Sequence, residues 1–491
     1  MYLGIDLGTS GVKACLLDPE LGLMASADAA LSLQQPREGW SEQAPQAWWK
    51  AVEQALQHLR AQAPAAWGHV RALGLSGQMH GAVLLDAQDR VLRPAILWND
   101  GRSEAECAEL EALAPDLHTV AGNLAMPGFT APKLLWLRRH EPALFERTRR
   151  VLLPKDLLRL QMTGEAVSEM SDASGTLWLD VGRRCWSEPL LAACGLGLSH
   201  MPRLVEGDQV SGLLRPALAE RWGLPAGVRV AGGGGDNAAS AIGVGAVRPG
   251  QGLVSLGTSG VVFRVCDAFR PLTDQAVHTF AHALAGRWHQ MSVMLSAASA
   301  LSWLRRLTGV AHEGELSRLA GRLSLAERAE APLFLPYLGG ERTPHNNPQA
   351  SGVFLGLRSR HGPAELAWSV MEGVGFGLLD GLQAMGPAPA QVPSQGPAAF
   401  SLVGGGARSD VWAGLLASGL GCTLLRPVGA DAAAALGAAR LAWLADGGDE
   451  ATVCQVLPTQ ACFEPEPELQ ALLQARHLRF RAAYPALRAL F

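Results

Sequence analysis

The eight cysteines of this 491-residue chain form no CxxC pair and show no other spacing typical of a metal site. Scattered cysteines of this kind indicate reduced thiols in a cytoplasmic protein rather than a disulfide framework. An excess of one charge is also missing, because 41 lysines and arginines are balanced by 45 aspartates and glutamates, for a net charge of −4. Without a basic patch, the chain is not expected to bind nucleic acid.

Long apolar runs and the common nucleotide motifs are absent as well. Residues 432–445 are rich in alanine, but Arg440 interrupts them and they are too few to span a bilayer, so they predict a buried helix and no membrane partner. The first residues enter a strand without a basic region, and we expect no targeting segment. The absence of GxxxxGK[ST] excludes a P-loop protein, and the absence of an N-terminal GxGxxG disfavours a dinucleotide dehydrogenase.

One five-residue sequence motif occurs twice. Leu-Gly-Thr-Ser-Gly occupies residues 7–11 and returns at residues 256–260, each time between apolar runs. This pattern predicts a β-hairpin with a small-residue turn in each half of the chain. A single copy is typical of an ordinary turn. Two copies in phase favour a second interpretation, in which the turns face each other across a cleft and hold a polyphosphate with their N–H groups and hydroxyls.

The two copies differ just before the repeated phrase, where the first has Asp6 and the second has Ser255. A carboxylate among phosphates is repulsive unless a cation lies between them. Asp6 is therefore a candidate ligand of Mg²⁺, either directly or through water.

The length predicts two or three domains, and strands and helices alternate in an α/β pattern. Residues 248–251 form the natural joint, which divides the chain into domains 1–246 and 247–491. A Pro-rich loop, residues 386–397, precedes a predicted strand at 399–403. The predicted elements of the first half are strands at 2–5, 12–17, 23–31, 70–75 and 82–86 and a helix that begins near Pro45.

Two glycine-rich loops follow predicted strands. Gly232 to Gly235 precede Asp236 and a helical run to Val244, and Gly404 to Gly406 precede another helix. Such strand–glycine–helix units place N–H groups where a ribose or a phosphate can bind.

The repeated hairpin, with Asp6 in its first copy, resembles the actin-like ATPase superfamily of sugar kinases, chaperone ATPases and actin. Three further segments resemble the FGGY carbohydrate kinases within it: the glycine tract with Asp236, residues 127–136 (PGFTAPKLLW) and residues 352–372. The finer segments Gly-Gln-Met-His-Gly at 77–81, Trp-Asn-Asp-Gly-Arg at 98–102, Leu-Pro-Lys-Asp at 153–156 and Gly-Glu-Arg-Thr-Pro-His at 340–345 resemble the xylulokinases of that group.

The resemblance implies two ribonuclease-H-like domains on either side of a central cleft. It also implies phosphorylation of D-xylulose at O5 by ATP with Mg²⁺, and a possible homodimer. The first domain would hold the sugar and the first phosphate hairpin, and the second domain would hold the other hairpin and the adenosine.

Asp236 is the candidate general base, because a sugar hydroxyl must lose its proton as the new P–O bond forms. Its place at the start of a helix is expected to favour the ionised form. The alternative is that Asp236 merely caps that helix. The four preceding glycines favour the ligand-binding interpretation, since they allow the backbone to approach a ligand closely.

The resemblance assigns the remaining site residues. Asp6 is assigned to Mg²⁺, and the nucleotide contacts are Thr9, Ser10 and Lys13 with Gly257 and Thr258 at the phosphates, and Gly404, Gly405 and Gly406 at the nucleoside. Lys13 is equally well explained as a solvated strand residue.

The sugar is assigned to Gln78, Met79 and His80, with Asn99 and Asp100 as further contacts. A structural histidine is the alternative for His80, and a plain Asn-Asp-Gly turn is the alternative for Asn99 and Asp100. Glu341, Arg342 and Thr343 receive no role beyond a salt-bridged loop.

Two other functions remain open at this point. One is a different FGGY kinase, acting on ribulose, glycerol, gluconate or a deoxy-xylulose. The other is a nucleotide-switched ATPase of the chaperone or filament type, which would turn over ATP without forming a sugar phosphate.

Overall fold

A computed structural model describes residues 1–387 and 399–491. Most of the predicted Pro-rich loop at 386–397 therefore lies outside the described residues. The structure is built around two sheets of seven strands, one from each half of the chain.

The first sheet contains an antiparallel meander whose first strand also pairs in parallel with a strand beyond the following helix. Its path, from one edge to the other, is Val210–Leu213, Arg229–Ala231, Ala72–Gly77, Tyr2–Leu7, Gly11–Asp18 and Gly22–Ala30, with Gly234–Gly235 paired to Ala72–Gly77 off that path. The strand predictions for residues 2–31 are correct to within two residues at each end.

The second sheet repeats the motif, with an antiparallel hairpin and a parallel strand beside its first strand. Its order is His278–Ala281, Trp288–Met294, Gly260–Cys266, Gly252–Leu256, Ala399–Val403, Thr423–Pro427 and Thr459–Phe463. Smaller two-stranded pairs join Glu42–Gln43 to Ala95–Ile96, Val83–Leu85 to Arg150–Leu152, Val167–Glu169 to Arg203–Val205, Leu179–Asp180 to Cys185–Trp186, and Leu333–Leu335 to Val353–Leu355.

The helices cover the sheets on both faces. The longer ones are Pro45–Gln62, Glu104–Leu113, Thr130–His140, Pro154–Thr163, Asp236–Val244, Ala298–Thr308, Glu313–Gly321, Pro363–Ala384, Asp410–Leu420, Ala433–Ala445 and Pro467–Leu487. Shorter helices are Pro64–Trp67, Leu117–Val120, Pro142–Arg147, Met170–Ser174, Glu188–Ala193, Pro216–Trp222, Leu325–Glu330 and Glu450–Val453. Within the described residues, none of these helices combines the length and the apolarity that crossing a membrane requires.

The first sheet is buried from both sides, by helices of different halves. One face packs on Pro45–Gln62, whose Trp48, Val52 and Leu56 lie in its core. The other face packs on Ala433–Ala445, the alanine-rich segment predicted as a buried helix. That helix also packs along Asp236–Val244. The C-terminal half therefore supplies part of the core of the N-terminal sheet.

The second sheet also has two covered faces. One packs on helices of its own half, including Pro363–Ala384 and Asp410–Leu420. The other packs on the segment 117–196 of the first half. This shared core holds the two sheets on either side of one cleft.

Candidate active site

Both repeats form the predicted hairpins. Gly8, Thr9 and Ser10 connect the paired strands Tyr2–Leu7 and Gly11–Asp18, and residues 257–259 connect their counterparts in the second sheet. Each turn closes with one backbone hydrogen bond, from Gly8 N to Gly11 O at 2.9 Å and from Gly257 N to Ser259 O at 3.1 Å. The N–H groups of the Thr and Ser residues of both turns make no hydrogen bond within the part of the chain that the structure describes, so they remain available to an anion.

Two cavities lie beside the second turn. The smaller, about 220 Å³, is lined by Met79, His80, Trp98, Gly128, Phe129, Asp236, Asn237, Ser255, Gly257, Ser259, Val261, Met291, Val293 and Arg342. The larger, about 1130 Å³, is lined by Gly257 and Thr258 and by some of the residues in 298–318 and 405–412, among them Gly405 and Gly406. Gly257 lines both. The turn therefore forms the border between a space for a small molecule and a space for a larger one.

Asp236 is the first residue of the helix Asp236–Val244, and the capping position is Gly235, so Asp236 is not the N-cap. Its Oδ1 accepts hydrogen bonds from Asn237 N at 2.7 Å and from Asn237 Nδ2 at 3.0 Å. Its Oδ2 accepts none within residues 1–387 and 399–491. One oxygen is thus held in place, and the other is free at the cavity.

The pKa of Asp236 moves in the direction opposite to our expectation from the helix start. Burial raises the pKa to about 7, the Asp6 carboxylate raises it as well, and the hydrogen bonds from Asn237 only partly oppose these effects. Burial likewise raises the pKa of Asp6, against a hydrogen bond from Ser76 Oγ and the charge of Lys13. The two carboxylates are therefore close enough to repel each other.

Three of the four glycines before Asp236 are required by close contacts within the protein. A Cβ at Gly232 would lie 2.2 Å from Glu206 O, one at Gly233 would lie 1.9 Å from Leu75 O, and one at Gly235 would lie 2.9 Å from Met79 Sδ. Gly233 also has a φ of +76°. These glycines allow protein atoms to pack against the tract, rather than a ligand to approach it.

His80 is fixed on the wall of the smaller cavity. Its Nδ1 lies 2.8 Å from Gly175 O, and because a carbonyl only accepts, Nδ1 carries the proton and donates. Burial lowers the pKa of His80 to about 3, so the ring is neutral and its Nε2 is an acceptor. The carbonyl of His80 accepts from Lys133 Nζ at 3.0 Å and from Thr130 Oγ1 at 3.1 Å. The loop is thereby tied to the helix Thr130–His140.

Gln78 points elsewhere. Its Oε1 accepts from Thr9 Oγ1 at 3.0 Å and its Nε2 donates to Gln43 Oε1 at 3.1 Å. Gln43 Nε2 in turn donates to Thr9 O at 2.7 Å. Trp98, which lines the cavity, donates from Nε1 to Thr9 Oγ1 at 2.9 Å. The side chain of Gln78 therefore stabilises the first turn through Thr9 and does not line the cavity.

Asn99 and Asp100 also lie away from the lining. Asn99 is exposed. Asp100 is 2% exposed and both of its oxygens accept from Arg102, with a further bond from Ser41 N at 2.5 Å. Asp100 has no free lone pair aimed at the cavity, and the local turn explains its place in the sequence.

The remaining predicted nucleotide residues divide into two groups. Gly405 and Gly406 line the larger cavity, whereas Gly404, with a φ of +93°, packs against the backbone of Leu256. Ser10 is exposed at the first turn. Lys13 Nζ donates to Asp431 O at 2.8 Å, which joins the first sheet to the loop before Ala433–Ala445.

Among the described residues, no three His, Cys, Asp or Glu side chains form a group that could hold a metal ion. Asp6 still fits a site for Mg²⁺, because this ion is commonly held by one or two carboxylates while phosphate oxygens and water complete its coordination shell. A cation beside Asp6 would also offset the repulsion between the carboxylates of Asp6 and Asp236.

Several lining residues were not predicted. Trp98 belongs to the segment 98–102, of which only Asn99 and Asp100 were assigned to the sugar, and Arg342 belongs to the segment 340–345, which received no role beyond a salt-bridged loop. Phe129, which stacks edge-on with His80 at 4.6 Å between ring centres, belongs to the segment 127–136. Only the fold brings these segments to one cavity.

The chain is similar to known carbohydrate kinases along most of its length. The N-terminal domain of the FGGY family of carbohydrate kinases matches residues 1–243, and its C-terminal domain matches residues 252–445. The chain is 50% identical to the Xylulose kinase of Escherichia coli (strain K12) over 489 residues, 99% of each chain. It is 51% identical to the Xylulose kinase of Klebsiella pneumoniae over 469 residues, 95% of each chain.

The crystal structure of a xyloylose kinase from Brucella ovis, 48% identical, superposes with a TM-score of 0.94 over 100% of both chains. This match confirms the predicted α/β fold with two ribonuclease-H-like halves flanking a cleft.

Proposed function

Because the chain belongs to the FGGY family of carbohydrate kinases, we propose that it transfers the terminal phosphoryl group of ATP to O5 of D-xylulose, giving D-xylulose 5-phosphate. The observation that carries this proposal is the position of Gly257, which lines both the small cavity that contains Asp236 and the large cavity that contains Gly405 and Gly406. A sugar in the first and a nucleotide in the second would meet at the hairpin turns. The names of the relatives from E. coli and K. pneumoniae favour D-xylulose as the sugar.

The proton of the reacting hydroxyl goes to Asp236 in this proposal. As the bond from O5 to phosphorus forms and the bond from phosphorus to the β-phosphate oxygen breaks, Oδ2 of Asp236 accepts the proton and ADP leaves. Asn237 holds Oδ1 and thereby fixes the orientation of the carboxylate. Met79 and His80 form the wall against which the sugar lies.

The nucleotide is assigned to both turns. The free N–H groups of Thr9, Ser10 and Thr258, together with Gly257, would bind the phosphates, and Gly404 to Gly406 would lie at the nucleoside. Lys13 would exchange the Asp431 carbonyl for a phosphate. Asp6 would hold Mg²⁺, which neutralises phosphate charge when it is bound.

We retain residues 1–246 and 247–491 as the two functional domains, with the sugar side and first hairpin in the former and the second hairpin and adenosine site in the latter. A cytoplasmic location is proposed because ATP is available there and all eight cysteines are free thiols. A homodimer is proposed from the resemblance alone, and light scattering on the purified protein tests it.

The function is tested by ADP release in the presence of D-xylulose, ribulose, glycerol, gluconate and 1-deoxy-xylulose, with product analysis by mass spectrometry. We expect the highest kcat/KM with D-xylulose and a stoichiometric sugar phosphate. A higher kcat/KM with another acceptor would contradict the choice of sugar. ATP turnover that is independent of any sugar would contradict phosphoryl transfer to a sugar and support the chaperone or filament type.

A further inference from the structure

Arg342 is the cationic side chain in the wall of the smaller cavity, and it belongs to the segment 340–345 that the sequence left without a role. The expected salt-bridged loop is not observed. Within residues 1–387 and 399–491, the guanidinium of Arg342 donates no hydrogen bond and lies within 4.0 Å of no carboxylate oxygen. Its neighbour Glu341 accepts instead from the backbone N–H of Leu295 at 3.1 Å and of Arg342 at 2.7 Å.

The backbone on both sides of Arg342 is held firmly. Thr343 N donates to Val293 O at 3.0 Å, and Val293 N donates to Thr343 Oγ1 at 3.1 Å. Thr343 Oγ1 also donates to Ala276 O at 2.8 Å. The loop is therefore attached to the strand Trp288–Met294 of the second sheet, and it presents Arg342 to the cavity as a preorganised group.

The polar groups around this cavity differ in what they can bind. Asp236 Oδ2 and His80 Nε2 are acceptors, since His80 Nδ1 already donates to Gly175 O. Trp98 Nε1 is already used by Thr9. Arg342, with five N–H groups in a planar fork, is thus an uncommitted donor beside two acceptors. A ketose carries one oxygen that can only accept, its carbonyl oxygen.

We propose that Arg342 is a specificity-determining residue that donates hydrogen bonds to the carbonyl end of the ketose, while Asp236 accepts from the hydroxyl that is phosphorylated. The guanidinium lies near Gly128, whose added Cβ would be 3.8 Å from an Arg342 terminal nitrogen, and Lys133 Nζ joins the carbonyl of Gly128 to that of His80. This inference rests on the proposed function, because it requires that a ketose occupies the smaller cavity.

The test compares Arg342→Gln and Arg342→Lys with wild type and with Arg360→Gln, a control that removes an exposed arginine paired with Glu330. The dissociation constants of D-xylulose and of the corresponding pentitol are measured from tryptophan fluorescence, since Trp98 lines the cavity. Loss of a charged hydrogen bond should weaken D-xylulose binding by about 100-fold in Arg342→Gln. The pentitol, whose hydroxyl is a weaker acceptor, should lose less than about 5-fold.

Arg342→Lys keeps the charge without the fork and should fall between wild type and Arg342→Gln, and Arg360→Gln should match wild type. Equal losses for ketose and pentitol in both Arg342 variants would indicate a purely structural role and overturn the inference, as would unchanged binding. If Arg342→Gln fails to fold, the test uses the ratio of the dissociation constants of D-xylulose and the pentitol in Arg342→Lys. A ratio higher than in wild type supports the inference, and an unchanged ratio overturns it. A wild-type protein that turns over no ketose would instead contradict the proposed function itself.

Discussion

At the scale of single residues, the cavity holds a carboxylate whose pKa is raised and whose second oxygen is free. Burial and the charge of Asp6 bring the pKa of Asp236 to about 7, which is near the value that suits a general base at neutral pH. The same environment makes the ionised form expensive to bury. Catalysis and stability therefore make opposite demands on this one side chain.

The first prediction concerns activity. Asp236→Asn should abolish phosphorylation, because Asn cannot accept the proton. The affinity for ATP, measured by calorimetry, should stay near that of wild type. In wild type, kcat/KM should fall about tenfold per pH unit below pH about 7, where Asp236 becomes protonated. Near-normal turnover of Asp236→Asn, or a pH profile that is flat from 5 to 8, would contradict the role of a base.

The second prediction concerns stability. A carboxyl whose folded-state pKa is about 7 and whose unfolded-state pKa is about 4 stabilises the fold below pH about 4. That contribution is lost as the pH rises through about 7. Asp236→Asn has no such loss. Its free energy of unfolding should therefore exceed that of wild type by about 1–3 kcal/mol at pH 8 and by less at pH 5. Denaturant unfolding at the two pH values measures this, and an equal difference at both would contradict it.

At the scale of elements, the local patterns were predictable and the long-range contacts were not. The repeat identified both hairpins, and the glycine tract identified the start of Asp236–Val244. Gln78 follows the strand Ala72–Gly77 and lies outside the cavity lining, because its side chain turns toward Thr9 while Met79 and His80 turn toward the cavity. Arg342 reaches the site because its neighbour Thr343 pairs with Val293, which is 50 residues away from Thr343 in sequence, and no local pattern reveals this pairing.

The third prediction uses two adjacent glycines in the loop after Ala399–Val403. A Cβ at Gly405 would meet nothing within 4 Å, whereas one at Gly406 would lie 2.6 Å from Leu256 Cγ and 3.1 Å from Leu256 O. Gly405→Ala should therefore keep the stability of wild type but raise the KM for ATP, because the methyl group enters the larger cavity. Gly406→Ala should lower the free energy of unfolding by about 1–3 kcal/mol through overpacking.

Thermal unfolding and ATP kinetics of the two variants check this contrast. If Gly405→Ala left the KM for ATP unchanged while retaining its fold, the assignment of this loop to the nucleotide would be wrong.

At the scale of the whole molecule, the two halves share structure. The helix Ala433–Ala445 lies so close to the first half that a Cβ at Gly4 would be 1.8 Å from Ala435 O, and one at Gly74 would be 2.0 Å from Ala438 O. In the other direction, a Cβ at Gly437 would be 1.8 Å from Ala239 O. Glycine and alanine residues in both halves permit this close packing. The predicted division at residue 246 therefore separates the first sheet from a helix that packs directly on it.

The fourth prediction follows from that packing. A fragment of residues 1–246 leaves bare the sheet face that contains Tyr2, Cys15, Leu17 and Ala72, which Ala433–Ala445 covers in the full chain. We expect this fragment to aggregate or to unfold non-cooperatively, because an exposed apolar sheet face of this kind is an aggregation site.

The matched control is the same fragment joined by a flexible linker to residues 430–456, which restores the covering helix and the short helix Glu450–Val453 that packs beside it. Both proteins lack the second sheet, which covers the segment 117–196 in the full chain, so the comparison between them carries the test. The fusion should show less aggregate by gel filtration and a more cooperative thermal transition by circular dichroism than the fragment 1–246. A fragment 1–246 that is monomeric and unfolds cooperatively without the helix would show that the first sheet needs no cover from the C-terminal half. The predicted domain boundary would then also be a boundary of folding.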